Sequence, residues 1–218
     1  MSQDRLRRPL SNITYKDLML ATPGKLFSKV GWIYELKYDG FRCLVSKHRG
    51  VVRLESRTGR DMSTCFPELV NEIAPIPHDF AADSELVVLD DRGCPQWDRL
   101  TKRHAQRSPS AIKRAAASDP AAIFVFDLLW LDGADLRNRT LLERKAALLG
   151  VMPGNRRIRY ARHMADSSLE LWAMANELEL EGILAKDARS IYTAGRSTRW
   201  LKIKTDVGAE RERSRRPR

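Results

Sequence analysis

Between residues 32 and 56 the chain carries three successive stretches with strand patterning, broken at two glycines, and this run commits the protein to a sheet at its centre. Trp32, Tyr34, Leu36 and Tyr38 alternate with Ile33, Glu35 and Lys37, the period of two that sends successive side chains to opposite faces of a strand. Asp39-Gly40 ends the first stretch, and residues 41–47 and 51–56 form the next two around Arg49-Gly50. Residues 32–56 therefore read as an antiparallel meander. Further strands are expected over 80–89, 123–131, 182–186 and 200–204. Helices are expected over 67–73, with Pro67 in the first turn, over 140–149, where Thr140 and Glu143 form a capping-box pair, and over 167–180. Ala21-Thr-Pro-Gly24 reads as a turn, and residues 98–117 as helix or loop. Antiparallel strands mixed with separate helices give an α+β class: antiparallel sheets flanked by helices.

Composition narrows the class. At 43% hydrophobic and 31% charged, the 218 residues can bury a core, which excludes a wholly disordered or low-complexity polymer. Lys and Arg number 39 against 28 Asp and Glu, a net charge of +11 that suits a polyanionic partner, with nucleic acid first. The charge is concentrated. Arg99, Lys102, Arg103, Arg107, Lys113 and Arg114 fall in a stretch without a carboxylate, and residues 186–204 hold six basic residues against Asp187 alone. The start lacks an apolar signal segment, and the most apolar stretch, 121–131, is short and cut by Asp127, so no membrane association is expected and the location reads as cytoplasmic, at the nucleoid. Cys43, Cys65 and Cys94 are widely spaced and read as reduced structural thiols. His48, His78, His104 and His163 have no partner at ligand spacing and read as structural or surface residues. Three segments follow: an N-terminal arm over 1–18, polar through residue 12, a folded domain over 19–206, and a basic, unpacked tail over 207–218.

The chemistry lies in an ordered series of short motifs. Glu35-Leu-Lys37-Tyr-Asp39-Gly40 puts a lysine at the end of a strand, where burial or a neighbouring cation can lower its pKa toward that of a nucleophile. Ser56-Arg57-Thr58-Gly59, Asp83-Ser84-Glu85-Leu86, residues 124–133 (FVFDLLWLDG), Glu181-Gly182-Ile-Leu-Ala-Lys186 and Trp200-Leu-Lys202-Ile-Lys204 follow in that order. The series resembles the motifs of the covalent nucleotidyltransferases, most closely the adenylation domain of ATP-dependent DNA ligases of the bacterial repair type, from about Met19 to Lys204.

That resemblance implies an ATP-grasp-like nucleotidyltransferase fold, here without an OB-fold domain. It implies that Lys37 is the catalytic nucleophile that attacks the α-phosphorus of ATP and carries AMP. Lys186, Lys202 and Lys204 match phosphate-contacting lysines, and Arg42 and Arg57 match contacts to ribose and phosphate. Phe126 matches the ring that stacks on adenine, while Glu35 and the Leu36 backbone match the adenine-reading position. Glu85 and Glu181 match carboxylates for ribose and a divalent metal, Mg²⁺ or Mn²⁺. The sequence has Ser84 where the family more usually has glycine; were that glycine needed for close backbone approach or positive φ, Ser84 would displace Glu85.

The implied substrate is nicked double-stranded DNA. The chain runs about a dozen residues past Lys204, so an OB-fold domain or repair partner is expected to be supplied elsewhere. Two alternatives remain: an RNA ligase or capping-type nucleotidyltransferase, which shares the Lys-x-Asp-Gly logic, and a non-catalytic nucleotide- and nucleic-acid-binding relative.

Overall fold

The computed structural model describes residues 13–214. The polar arm expected over residues 1–12 and the last part of the expected tail, 215–218, lie outside the described residues. In chain order the strands are β1 (Met19–Pro23), β2 (Trp32–Lys37), β3 (Phe41–His48), β4 (Val51–Ser56), β5 (Phe80–Val88), β6 (Ala121–Leu131), β7 (Ala134–Asp135), β8 (Ile158–Tyr160), β9 (His163–Ala165), β10 (Gly182–Asp187) and β11 (Gly195–Lys204). The helices are α1 (Pro67–Ile73), α2 (Trp97–His104), α3 (Pro109–Ser118), α4 (Leu141–Val151), α5 (Leu169–Glu177) and α6 (Asp206–Ser214). One sheet has the order β1-β11-β10-β2-β9; the other has β4-β3-β5-β6-β7, with β8 also paired to β6.

Three apolar clusters stack these layers. Tyr34, Ile183, Ala185 and Ile203 on the outer face of the first sheet pack with Leu171 and Ala175 of α5. Ile33, Leu44, Val87, Phe124, Phe126 and Trp200 fill the space between the sheets. On the outer face of the second sheet, Val45, Leu54, Val125 and Leu128 meet Leu69 and Ile73 of α1, Leu100 of α2 and Leu148 of α4. The alternation in β2 decides which side chains go where: Tyr34 faces α5, Ile33 faces the gap between the sheets, and Glu35 and Lys37 share the Ile33 side. β6 reads as a nearly continuous apolar run because helices cover one face and the other sheet covers the opposite one.

Several expectations are corrected. Residues 32–56 are not one meander, because β2 and β3 belong to different sheets; only β3 and β4 form the expected hairpin, at Arg49 and Gly50 with φ of 49° and 81°. Asp39-Gly40 carries the chain from one sheet to the other, and Gly40 is required by contact: a Cβ there would lie 2.3 Å from the Leu86 carbonyl oxygen. Tyr38 accordingly leaves the α5 side and stacks on Phe124, with centroids 3.7 Å apart. Ala21-Thr-Pro23 is strand rather than turn, pairing in parallel with β11 at an edge, where a proline is tolerated. Since β6 and β8 are also parallel, the sheets are mixed rather than purely antiparallel.

The C-terminal segment differs most. Instead of an unpacked tail, residues 206–214 form α6, because the Thr205 hydroxyl accepts the Gly208 N–H at 3.1 Å and Gly208 lies flat against the Glu181 carbonyl. Its charged residues then find partners, Arg211 donating to the Glu179 carbonyl at 2.8 Å. At the other end, Ile13 and Leu18 are buried between the sheets, so the later part of the expected arm is packed. Among the described residues, no helix is long and apolar enough to cross a membrane.

Candidate active site

Where the two sheets diverge they leave a cavity of about 620 Å³. β2 supplies Glu35, Leu36 and Lys37; β3 and β5, paired at Arg42 and Glu85, supply those two residues; β6 supplies Phe124 and Phe126; β11 supplies Lys202 and Lys204. Arg57 reaches the wall from the turn after β4, and Glu181 from the residue before β10. All of the site residues read from the sequence therefore converge on one cavity, with one exception. Lys186 is not on the wall but fully buried behind it, bonded to Glu35.

One end of the cavity is a network of lysines and carboxylates. Lys37 Nζ lies 2.5 Å from Glu181 Oε2, with its side chain 20% exposed toward the cavity. Lys204 Nζ sits 2.7 Å from Glu181 Oε1 and 3.4 Å from Glu212, whose other oxygen is 3.9 Å from Lys202. Burial works to raise the Glu181 carboxyl, but Lys37 and Lys204 outweigh it and hold it below its ordinary value. Glu85 goes the other way. Burial lifts it from 4.5 to about 7; Lys37 and Arg42 oppose the rise, and the nearby negative charge of Glu181 and Asp83 adds to it. Burial also lowers Lys202, partly offset by Glu212.

Rigid aromatic and ionic packing defines the opposite end. Arg42 grips Asp83 with two bonds of 2.5 Å, donates to the Met19 carbonyl at 2.9 Å, and lies 4.7 Å over the Phe126 ring. The Tyr192 hydroxyl donates to the same Asp83 at 2.5 Å. Phe126 is 5% exposed and belongs to the core between the sheets, yet one part of it lines the cavity. Glu35 accepts from Lys145 and from Lys186, each at 2.5 Å. Burial would raise Glu35, but the two ammonium groups prevail and hold it low. Lys186 is itself pushed down by burial.

Ser84 does not displace Glu85. It pairs with Cys43 on the β3 side, next to a register shift against β6 at Asp83 and Ser84, lies outside the positive-φ region, and donates its hydroxyl to the Cys43 carbonyl at 2.7 Å, a fully buried position that a glycine would leave emptier.

Sequence reasoning missed four contributors: Asp83, Tyr192, Glu212 and Lys145. Asp83 was readable as the first residue of its motif, and Lys145 had a signal of its own. Leu141, Lys145 and Leu148 share the i, i+4, i+7 face of α4 that must be buried, so a lysine there needs a charged partner inside. Neither Tyr192 nor Glu212 has a local pattern that marks it. The basic stretch at 99–114 divides between uses: Arg103 is buried against Glu68 at 2.7 Å, while Arg99, Lys102, Arg107, Lys113 and Arg114 face solvent.

A deep cleft between two mixed sheets, with an aromatic wall at one end and a cluster of lysines and glutamates at the other, defines a nucleotidyltransferase-type domain. The family model described as ATP dependent DNA ligase domain matches residues 19–204, and the chain belongs to that family of enzymes. The multifunctional non-homologous end joining protein LigD of Pseudomonas aeruginosa is 33% identical over 182 residues, covering 82% of this chain and 21% of the relative. A probable DNA ligase of Streptomyces griseus is 34% identical over 198 residues, 84% of this chain and 38% of the relative. Among solved structures, the ligase domain of LigD from M. tuberculosis has a TM-score of 0.74 at 28% identity, over 90% of this chain and 62% of that one. Mycobacterial DNA ligase D complexed with ATP and MES has a TM-score of 0.71 at the same identity and coverage. The chain thus spans well under half the length of these curated relatives.

Proposed function

We propose that this domain adenylates itself on Lys37 at the expense of ATP and passes the AMP to the 5′-phosphate of nicked double-stranded DNA. The reading rests chiefly on the placement of Lys37, an amine at the cavity surface bonded to a carboxylate at 2.5 Å, between an aromatic wall and two further lysines. The part of Phe126 that reaches the cavity, with Arg42 and Lys186 packed over its ring, suits apolar contact with the purine. Arg57 at the cavity lip suits the ribose and phosphates.

Glu181 orients the Lys37 amine, which releases its proton to solvent, and the free Nζ attacks the α-phosphorus. A P–N bond forms as the bond from the α-phosphorus to the bridging oxygen breaks, and the pair of electrons leaves on pyrophosphate. Lys202 and Lys204 face that leaving group, where fixed positive charge lowers the barrier most. In the second step a 5′-phosphate oxygen displaces Lys37, which recovers its proton.

The carboxylates suit a divalent cation, Mg²⁺ or Mn²⁺. Glu85 and Glu181 line one cavity, and the charge of Glu181 helps hold Glu85 near neutral, a repulsion that a hard cation would remove. When bound, the cation offsets charge on the phosphates. Net charge of +11 and the exposed lysines and arginines of α2 and α3 support a polyanionic substrate, and nicked DNA places the work at the nucleoid. An OB-fold domain or a repair partner would complete the phosphate end.

Incubation with Mg²⁺ and α-labelled ATP should leave acid-labile, alkali-stable label on the wild-type chain and none on Lys37→Ala. Label that persists on the variant refutes the assignment of Lys37. Salt-dependent DNA binding without any label on wild type favours a non-catalytic binding relative, and label from GTP in preference to ATP favours the capping type.

A further inference from the structure

Glu35 at the aromatic end is held by two buried ammonium groups from different elements, and only one of them, Lys186, falls within the ordered motifs. The other, Lys145, is 2% exposed in its side chain and comes from α4. Its Nζ donates to Glu35 Oε1 at 2.5 Å and to the Ala161 carbonyl at 3.0 Å, with the Phe126 carbonyl at 3.4 Å. It also lies 4.5 Å over the Tyr160 ring. One cation would neutralise the carboxylate; the second, tied to backbone on two sides, also fixes where its oxygens point.

Each carboxylate oxygen that accepts one lysine keeps a further lone pair, and an ionised carboxylate has no hydrogen to give. Glu35 on the cavity wall is therefore an acceptor with a fixed position. A purine with an amino group at its six position can satisfy such an acceptor. One with an oxygen there sets two acceptors against each other and leaves both unpaired, which is the kind of mismatch that discriminates strongly.

We propose that Lys145 is a positioning residue that makes Glu35 an obligatory acceptor, so that the cavity selects six-amino purine nucleotides over six-oxo ones. The inference deepens the nucleotide-binding reading given above and rests on it.

ATP and inosine triphosphate differ at this edge of the base and are the probes. For the full chain, the initial rate of label transfer to Lys37 is measured against concentration of each nucleotide. Equilibrium binding of each is measured by calorimetry on wild type, Lys145→Met and Lys145→Arg. Wild type should favour ATP by roughly tenfold or more, and Lys145→Met should reduce that ratio at least about fivefold, mainly through KM for ATP. Lys145→Arg, which keeps the charge and the donors, should restore most of it. A merely structural lysine would weaken both nucleotides alike, so an unchanged ratio in Lys145→Met overturns the proposal. Should that variant fail to fold, Lys145→Gln reads the same ratio, and an unchanged value there is equally fatal. Absence of label on wild type despite ATP binding would sink the adenylation reading alone, since the binding ratios still decide the role of Lys145. Equal binding of the two nucleotides by wild type, or of neither, overturns it.

Discussion

Replacing Glu85 by glutamine should move stability and activity in opposite directions. The carboxyl is raised from 4.5 to about 7, first by burial and then by the like charges of Glu181 and Asp83, with Lys37 and Arg42 opposing. Between those two values the native protein keeps a proton that the unfolded chain has released, so stability falls as pH climbs through the window. Above about pH 7 both states are ionised and the whole cost is present; below 4.5 it is absent. A rise of this size corresponds to about 3 kcal/mol. Glu85→Gln removes the charge but adds an amide donor that needs a partner, a cost of about 1 kcal/mol. The variant should therefore be about 2 kcal/mol more stable than wild type at pH 8, and no more stable at pH 4.5. Urea unfolding in nucleotide-free buffer with a chelator, at both pH values, measures this directly from the midpoints. Adenylation by the variant should fall, because on the proposed reading Glu85 is a charged contact to the cation and ribose and the amide carries no charge. A variant less stable than wild type at pH 8, or a stability difference independent of pH, would refute the argument that burial strains this carboxylate.

Two further substitutions test the cavity and the strand pair behind it. Glu212→Gln should tighten ATP binding by roughly threefold, since the carboxylate it removes, 3.4 Å from Lys204 and 3.9 Å from Lys202, competes with phosphate in a half-exposed network where each pair contributes under about 1 kcal/mol; unchanged affinity by calorimetry would deny the competition. Gly182→Ala forces a residue with φ of 145° to carry a Cβ only 2.0 Å from the Ile203 carbonyl oxygen, so β10 and β11 must part. A loss of about 3 kcal/mol and a fall in melting temperature of about 6–12 °C are expected, and a fall under about 2 °C would show that the strands yield without cost.

How much of this was readable before the structure depends on whether a residue acts through its neighbours in sequence or in space. The capping box of α4 and the proline start of α1 appear at the expected residues because their signals are local and their hydrogen bonds close within one turn. The division of β2 and β3 between two sheets was not readable. Asp-Gly suits a hairpin as well as a crossover, and the deciding contact, Gly40 against Leu86, lies far along the chain. The same distinction runs through the site. Glu35, Lys37 and Glu85 were found because each lies in a short recurring pattern. Glu212 was not, since a charged segment with no apolar face looks unpacked until Thr205 and Gly208 seat it against Glu181.

The two ends of the cavity solve different electrostatic problems, and the difference predicts which parts move. At the aromatic end Glu35, Lys145 and Lys186 are almost wholly buried and bonded to each other, so their charges are fixed before any ligand arrives. Removing one partner there strands a charge in a medium that cannot solvate it. At the opposite end Lys37, Lys202 and Lys204 retain 15 to 29% side-chain exposure, and their partners Glu181 and Glu212 are 13% and 40% exposed. Carboxylates of that kind can be exchanged for phosphate oxygens at small net cost, because one anion replaces another on the same ammonium groups. On the proposed reading a triphosphate enters by ion exchange at one end while its base meets a preset surface at the other. Base selectivity is then predicted to follow from the buried end and to be insensitive to salt, and triphosphate affinity to follow from the half-exposed end and to weaken as salt rises, which binding titrations at two ionic strengths measure.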